Sequence, residues 1–393
     1  MSDLQRKLAG RSIPRGLPPR PHLGGGPRGG GRSRGGGQFG KKSFTGVSWR
    51  KYWHTKQFVE TETGTFCVYQ GGSRDSDVSL CLLHGAGYSA LTWSVMVECL
   101  ASLADCRVLA IDLRGHGETR IKDEEPGVDI DMSGDAMARD VINVISHVYE
   151  GLNVGVVIMG HSMGGALASL VASEGLPGLL GLVVEDVVEG TAMEALAGMH
   201  SVLQSRPKQF QSLEQAVEWC VRSGQVRNLE SARVSMPGQV VTDTGLLGAK
   251  VVEDKMEDAE HENSLAPAKR EKLEASNSIK EEDEEAENGD SDKFKVPSVP
   301  ESQPVVDKTP PETFTGPQVY KWRIDLSRTE PHWSGWFRGL SQRFLTSPGA
   351  KLLLLAGVDR LDKELTVGQM QGKFQMQVLP QVDIKYLLIV INN

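Results

Sequence analysis

The chain has 393 residues, 39% hydrophobic and 24% charged, and no run reaches the ~18 apolar residues that a membrane-spanning helix needs. Its net charge of −8 is unevenly placed: residues 1–52 hold twelve Lys/Arg against the single acid Asp3, whereas residues 250–295 hold sixteen acids against eight bases, so a uniformly basic nucleic-acid binder is excluded. The five cysteines (Cys67, Cys81, Cys99, Cys106 and Cys220) form no CxxC pair, which excludes a zinc ribbon and points to a reduced protein, cytoplasmic and/or nuclear, with no apolar leader visible.

Residues 1–45 are low in complexity, with ten glycines between Gly24 and Gly40 interleaved with Arg28, Arg32 and Arg34. Such a segment buries too little apolar surface to offset its ordering entropy, so a disordered Arg/Gly-rich tail is expected. Two RGG triplets, at Arg28 and Arg34, are a thin signal for an RNA-binding arm. Five apolar runs follow, each ending in a polar or Gly-rich turn. Val78–Leu83 leads to His84-Gly85-Ala86-Gly87, and Arg107–Leu113 to Arg114-Gly115-His116-Gly117. Val154–Met159 leads to Gly160-His161-Ser162-Met163-Gly164, Leu179–Val184 to Glu185-Asp186, and Lys351–Ala356 to Gly357-Val358-Asp359. Continuous apolar strands separated by helical stretches such as Ala136–Tyr149 predict a buried, doubly wound parallel sheet of the α/β class. Function in such sheets gathers at the carboxyl ends of the strands, where all these turns fall.

Residues 245–318 break the pattern. They contain Glu281-Glu282-Asp283-Glu284-Glu285 and then six prolines from Pro297 to Pro317, and are expected to form a long disordered insertion. Setting aside residues 1–45 and 250–318 leaves 279 residues, which suits one large domain over 46–381.

Gly160-His161-Ser162-Met163-Gly164 fits G-x-S-x-G after a strand and before the helical stretch Ala166–Ser173. A sharp strand-to-helix turn crowds the backbone around the serine, so the flanking positions need glycine. The turn would lift the Ser162 hydroxyl above the sheet and aim the Met163 amide at a developing oxyanion. The second oxyanion donor should come from the loop after an earlier strand. Ala86, in a loop that resembles the HGGG type of esterases, occupies that place. His84 and His161 are read as shaping loops rather than moving protons. Two aspartates compete as triad acid, Asp359 after the late strand and Asp186 after the strand that follows the nucleophile helix, and position alone leaves both open.

Together these residues resemble the protein phosphatase methylesterases. The stretches that carry the resemblance are Leu82–Ala90, Asp112–Glu118, Gly160–Ala166, Asp186–Ala195, Gly224–Met236, Trp333–Leu340 and Lys351–Gln381. The resemblance implies an α/β-hydrolase with a lid region, a variable acidic loop and no metal or cofactor. It also implies hydrolysis of the methyl ester on the C-terminal leucine of the type 2A protein phosphatase catalytic subunit. Carried over, Ser162 is the nucleophile and Asp186 the acid, and Gly224–Met236 and Trp333–Leu340 belong to the region over the active site that meets the phosphatase. The expected partner is that subunit, with no membrane or nucleic acid, and the chain is expected to be a monomer.

One element of the pattern departs. The family carries its catalytic histidine in a loop after the last strand, here Phe374–Leu379. The resemblance stops at Gln381, and the apolar tail 382–393 contains no histidine. A serine without its base is a poor nucleophile at neutral pH, and loss of one triad member costs about 10⁴–10⁶ in kcat. The expectation is therefore a methylesterase impaired in this chain. The alternatives are a catalytically dead phosphatase-binding module and a generic carboxylesterase.

Overall fold

The structure is a computed structural model that describes residues 43–122, 129–260, 318–357 and 361–378. The Arg/Gly-rich segment expected over 1–45, the acidic block around Glu281, Asp359 and the tail 382–393 all fall outside the described residues, apart from Ser43 to Thr45.

The sheet opens with β1 (Thr55–Glu60) antiparallel to β2 (Gly64–Gly72), followed by β3 (Val78–Leu83). A short helix, α1 (Ser94–Leu100), leads to β4 (Arg107–Ile111) and the two-residue β5 (Arg120–Ile121). Helix α2 (Gly134–Val148) begins where the Ser133 hydroxyl accepts the Ala136 amide at 3.3 Å, and it buries Met137, Val141, Val144 and Ile145 on one face. Next come β6 (Gly155–His161), α3 (Met163–Ser173) and β7 (Leu179–Glu185). The chain then leaves the sheet through α4 (Glu189–Gln204), β8 (Gln209–Phe210), α5 (Leu213–Arg222), α6 (Leu229–Ser235), β9 (Val240–Thr242), a helix α7 over 248–260, and β10 (Tyr320–Trp322). It returns by α8 (Glu330–Phe337) and α9 (Leu340–Thr346) to β11 (Ala350–Leu355), α10 (Lys363–Met370) and β12 (Gln375–Val378).

The strand order is β1-β2-β4-β3-β6-β7-β11-β12, with β5 beside β2, and every pair from β4 to β12 is parallel. All five runs expected to be strands are strands of this sheet. Residue alternation decides the two faces. Cys81, Leu83, Ile158, Val184 and Leu353 join the core under α2, α3, α8 and α9, whereas Leu82, Met159, Val183 and Leu354 join the core under α1 and α6. A smaller sheet, β8-β10-β9, packs with α5 around Phe210, Trp219 and Trp322. The β1–β2 hairpin and this small sheet were not anticipated, because their strands are short or carry no continuous apolar run.

One expectation shifts. Residues 248–260, placed in the insertion for their charge, form α7. Ala249, Val251 and Val252 are buried, and so is Glu253, which accepts from Lys56 and from the Trp49 indole. Charge density misled there because a paired acid can sit inside. Within Trp333–Leu340 the aromatic residues are core: Trp333, Trp336 and Phe337 are each under a tenth exposed. An aromatic side chain buries about 150–250 Å², worth about 4–6 kcal/mol gross at 25 cal/mol/Å², which favours the core over the surface.

Candidate active site

The parallel register brings five strand ends to one edge. Leu83 pairs with Gly160 and with Ile111, while His161 pairs with Glu185, which also faces Leu354. The next residues, His84, Asp112, Ser162, Asp186 and the Leu355–Ala356 turn, therefore crowd together. Ser162 sits at φ 53°, ψ −121°, and Asp186 at φ 51°; among the described residues no other non-glycine has positive φ. Such backbone costs ~1–3 kcal/mol per residue and persists only where the surroundings over-determine it.

The glycines around Ser162 supply that constraint. A Cβ on Gly160 would lie 2.0 Å from the Gly164 carbonyl oxygen, and one on Gly164 would lie 2.3 Å from the Leu83 carbonyl oxygen. Strand, turn and helix touch backbone to backbone, as the G-x-S-x-G spacing implies. The Ser162 amide donates to the Glu185 carbonyl at 3.0 Å, and the Ser162 carbonyl accepts from Gly165 and Ala166. Met163 opens α3, and its amide and that of Ala86 donate to no acceptor among the described residues. That is the state expected of oxyanion donors.

The loop carrying Ala86 is held by two buried histidines that sequence reading had left as structural or unassigned. His84 Nδ1 donates to the Gly85 carbonyl at 2.8 Å, and its Nε2 accepts the Leu113 amide at 3.0 Å. His116 Nδ1 donates to the Arg114 carbonyl at 2.8 Å, and its Nε2 accepts the Gly87 amide at 2.9 Å. Each ring uses one nitrogen as donor and the other as acceptor, so both are neutral imidazoles. Burial drives both pKa values down, that of His116 to about 4. Asp112 ties in the following turn, accepting the Ala90 amide at 2.7 Å and the Glu118 amide at 3.0 Å, while burial pushes its carboxyl up to about 6. The Asp112–Glu118 turn was legible as Gly-rich, but its role in bracing the Ala86 loop was not.

Asp186 accepts the Ala356 amide on Oδ1 at 3.2 Å, and its own amide donates to the Leu354 carbonyl at 2.8 Å, so it is anchored to β11. Asp359 lies outside the described residues. His161 rests against Gly85 and edge-on to Tyr88; burial lowers its pKa, with Asp186 pulling the other way. His200 pairs with Glu330 at 2.8 Å on the surface. His332 lies in electrostatic range of Asp131, whose carboxyl stays below its usual range, against the effect of burial, through the Ser133 amide and hydroxyl, Arg114 and His332. No described side chain hydrogen-bonds the Ser162 hydroxyl.

A mostly parallel sheet with a strained serine at the strand-to-helix turn, below a braced amide loop, defines an α/β-hydrolase. The α/β hydrolase family matches residues 82–270. The chain belongs to the protein phosphatase methylesterase family. It is 46% identical over 390 residues to mouse protein phosphatase methylesterase 1, covering 97% of this chain and 90% of that protein. It is 45% identical to the human protein at the same coverage, and 32% identical over 342 residues to that of Schizosaccharomyces pombe, covering 85% and 78%. Among solved structures, E-2-(acetamidomethylene)succinate hydrolase superposes with TM-score 0.56 at 12% identity, covering 86% of this chain and 98% of that one. The thioesterase domain of the curacin pathway does so with TM-score 0.53 at 16% identity, covering 86% and 99%. These two share the fold.

Proposed function

We propose that the chain is a serine-type carboxyl methylesterase whose substrate is the methylated C-terminal leucine of the type 2A protein phosphatase catalytic subunit. The observation that carries the reading is the pair of strained residues, Ser162 and Asp186, at adjacent strand ends beneath the Ala86 loop. Ser162 attacks the ester carbonyl, and the amides of Ala86 and Met163 take the charge that develops on its oxygen. Methanol leaves, and water releases the acyl group. Asp186 orients the base that moves these protons, the role an acid plays in hydrolase triads. The strained backbone of Asp186 and the Ala356 amide on its carboxylate support it as the acid.

The base is where this chain differs. Residues 382–393 contain no histidine, and His84 and His116 are committed through both ring nitrogens. Without a histidine engaged by Ser162, turnover is expected to fall by about 10⁴–10⁶ relative to a complete triad. The same observation favours a second reading, a phosphatase-binding module that has lost turnover. Methanol release from a leucine methyl ester peptide separates the two. The expected result is negligible release by the chain, and release restored when a histidine-bearing loop and helix are joined after Gln381. Efficient hydrolysis by the unaltered chain sinks the missing-base account. Restored release that survives Ser162→Ala sinks the assignment of the nucleophile.

A further inference from the structure

Arg206 is a half-buried cation with no carboxylate among its described partners. It follows α4, on the chain segment that leaves the sheet after Asp186. Its guanidinium sits over the Trp322 ring, 3.9 Å from Cζ to the ring centroid, and Trp322 is pinned in turn by its indole N–H donating to the Pro207 carbonyl at 2.7 Å. Among the described residues the guanidinium makes one polar contact, a long one, Nη2 donating to Gln225 Oε1 at 3.3 Å. This contact restrains the guanidinium while leaving most of its N–H groups without an acceptor among the described residues.

The place of this cation is what matters. Arg206 Nη1 lies 3.7 Å from where a Gly87 Cβ would stand, and Leu326 closes the same position at 2.9 Å. Gly87 has φ +77° and gives its amide to His116, so the loop cannot retreat. Ala86 is the neighbouring residue. On the other side comes Tyr88, whose ring meets His161 edge-on at 6.1 Å and whose phenol is in electrostatic range of Arg206. A wall therefore runs from His161 through Tyr88 to Arg206 along the Ala86 loop. Burial lowers the Arg206 pKa, with Tyr88 and Cys220 opposing it; neither is an acid at neutral pH, so nothing described there balances the charge.

We propose that Arg206 binds a carboxylate at the rim of the ester site, with the Tyr88 hydroxyl as a second donor. This rests on the methylesterase reading above. Two sources share the chemistry: an acidic side chain of the peptide close to its C-terminus, and the C-terminal carboxylate that hydrolysis frees. The planar fork of an arginine held over an indole suits the two oxygens of either.

The test measures binding by calorimetry in a Ser162→Ala background, so that no ester is consumed. Three acetylated tetrapeptides are compared: Ala-Ala-Ala-Leu methyl ester, Ala-Ala-Glu-Leu methyl ester, and Ala-Ala-Ala-Leu as the free acid. At least one carboxylate-bearing peptide should bind about tenfold tighter than the neutral ester, the scale of one charge-assisted contact. Tighter binding of the Glu peptide assigns the site to a substrate side chain; tighter binding of the free acid assigns it to the product. Arg206→Gln should bring the preference close to one, Arg206→Lys should keep part of it, and in the unsubstituted rim it should shrink with added salt. A preference that survives Arg206→Gln, that ignores salt, or that never appears overturns the proposal. If the neutral ester binds but no carboxylate peptide binds more tightly, this proposal fails and the ester-site reading stands. If no peptide binds, both fail.

Discussion

At the scale of single residues, the strand ends around Ser162 concentrate cost. Two residues there hold left-handed backbone, and Glu185 adds a carboxyl that burial and the neighbouring Asp186 push up to about 7. The consequence has a definite sign. An acid whose folded pKa lies above its unfolded value, about 4.3, binds protons better in the native state, so it withdraws stability as pH rises through that interval. Glu185→Gln removes the titration. Thermal melts should therefore show the variant gaining on the parent between about pH 5 and pH 8, by a few degrees for each ~1–2 kcal/mol recovered. A difference that stays flat with pH would show that Glu185 ionises freely in the folded chain. Ser162 was legible from its motif, whereas Asp186 needed the family resemblance and Glu185 gave no signal beyond ending an apolar run. Its cost arises from the strands on either side, which local sequence does not name.

At the scale of elements, the turn from β6 into α3 is where sequence and geometry agree most closely, because a Cβ at Gly160 or Gly164 meets backbone that cannot give way. Gly160→Ala should lower stability by more than ~2 kcal/mol in urea unfolding. Gly198 is the contrast: it lies inside α4 with nothing within 4 Å of an added Cβ, so Gly198→Ala should stabilise by ~0.5–1 kcal/mol. Equal effects at the two positions would mean that the turn is not packed as described. The element read least well was the one whose charge was taken at face value. Acid-rich α7 packs on the sheet because Glu253 meets Lys56, and α8 turns its aromatic residues inward, Trp336 giving its indole N–H to the Met132 carbonyl at 2.7 Å.

At the scale of the molecule, buried ion pairs fasten distant segments. Arg114, in the turn after β4, makes a two-pronged contact with Asp140 of α2 at 2.7 and 2.9 Å, and Asp140 also accepts the Thr63 hydroxyl before β2. Lys56 of β1 joins Glu118 to Glu253 of α7 at 2.9 and 2.8 Å. Both clusters are largely removed from water, so losing one partner strands a charge. Asp140→Asn should cost ~3–5 kcal/mol, and a double variant with Met at Arg114 and Leu at Asp140 should recover much of it. Calorimetric melting of the three proteins checks this; a double variant as unstable as the single one would assign the loss to packing.

Local sequence by itself determined the alternation of apolar strands and helices, and the glycine-flanked serine, because backbone crowding and side-chain burial act within a few residues along the chain. It also named Asp186 and Asp359 as rivals without ranking them. Only the tertiary structure decided what depends on register between strands far apart in sequence. That register sets Ser162 beside Asp186, lets two neutral histidines brace the Ala86 loop, and brings Arg206 against Gly87 across more than a hundred residues of chain. Hydrogen bonds and buried charges of that kind are properties of neighbours in space, and a linear pattern carries no record of them.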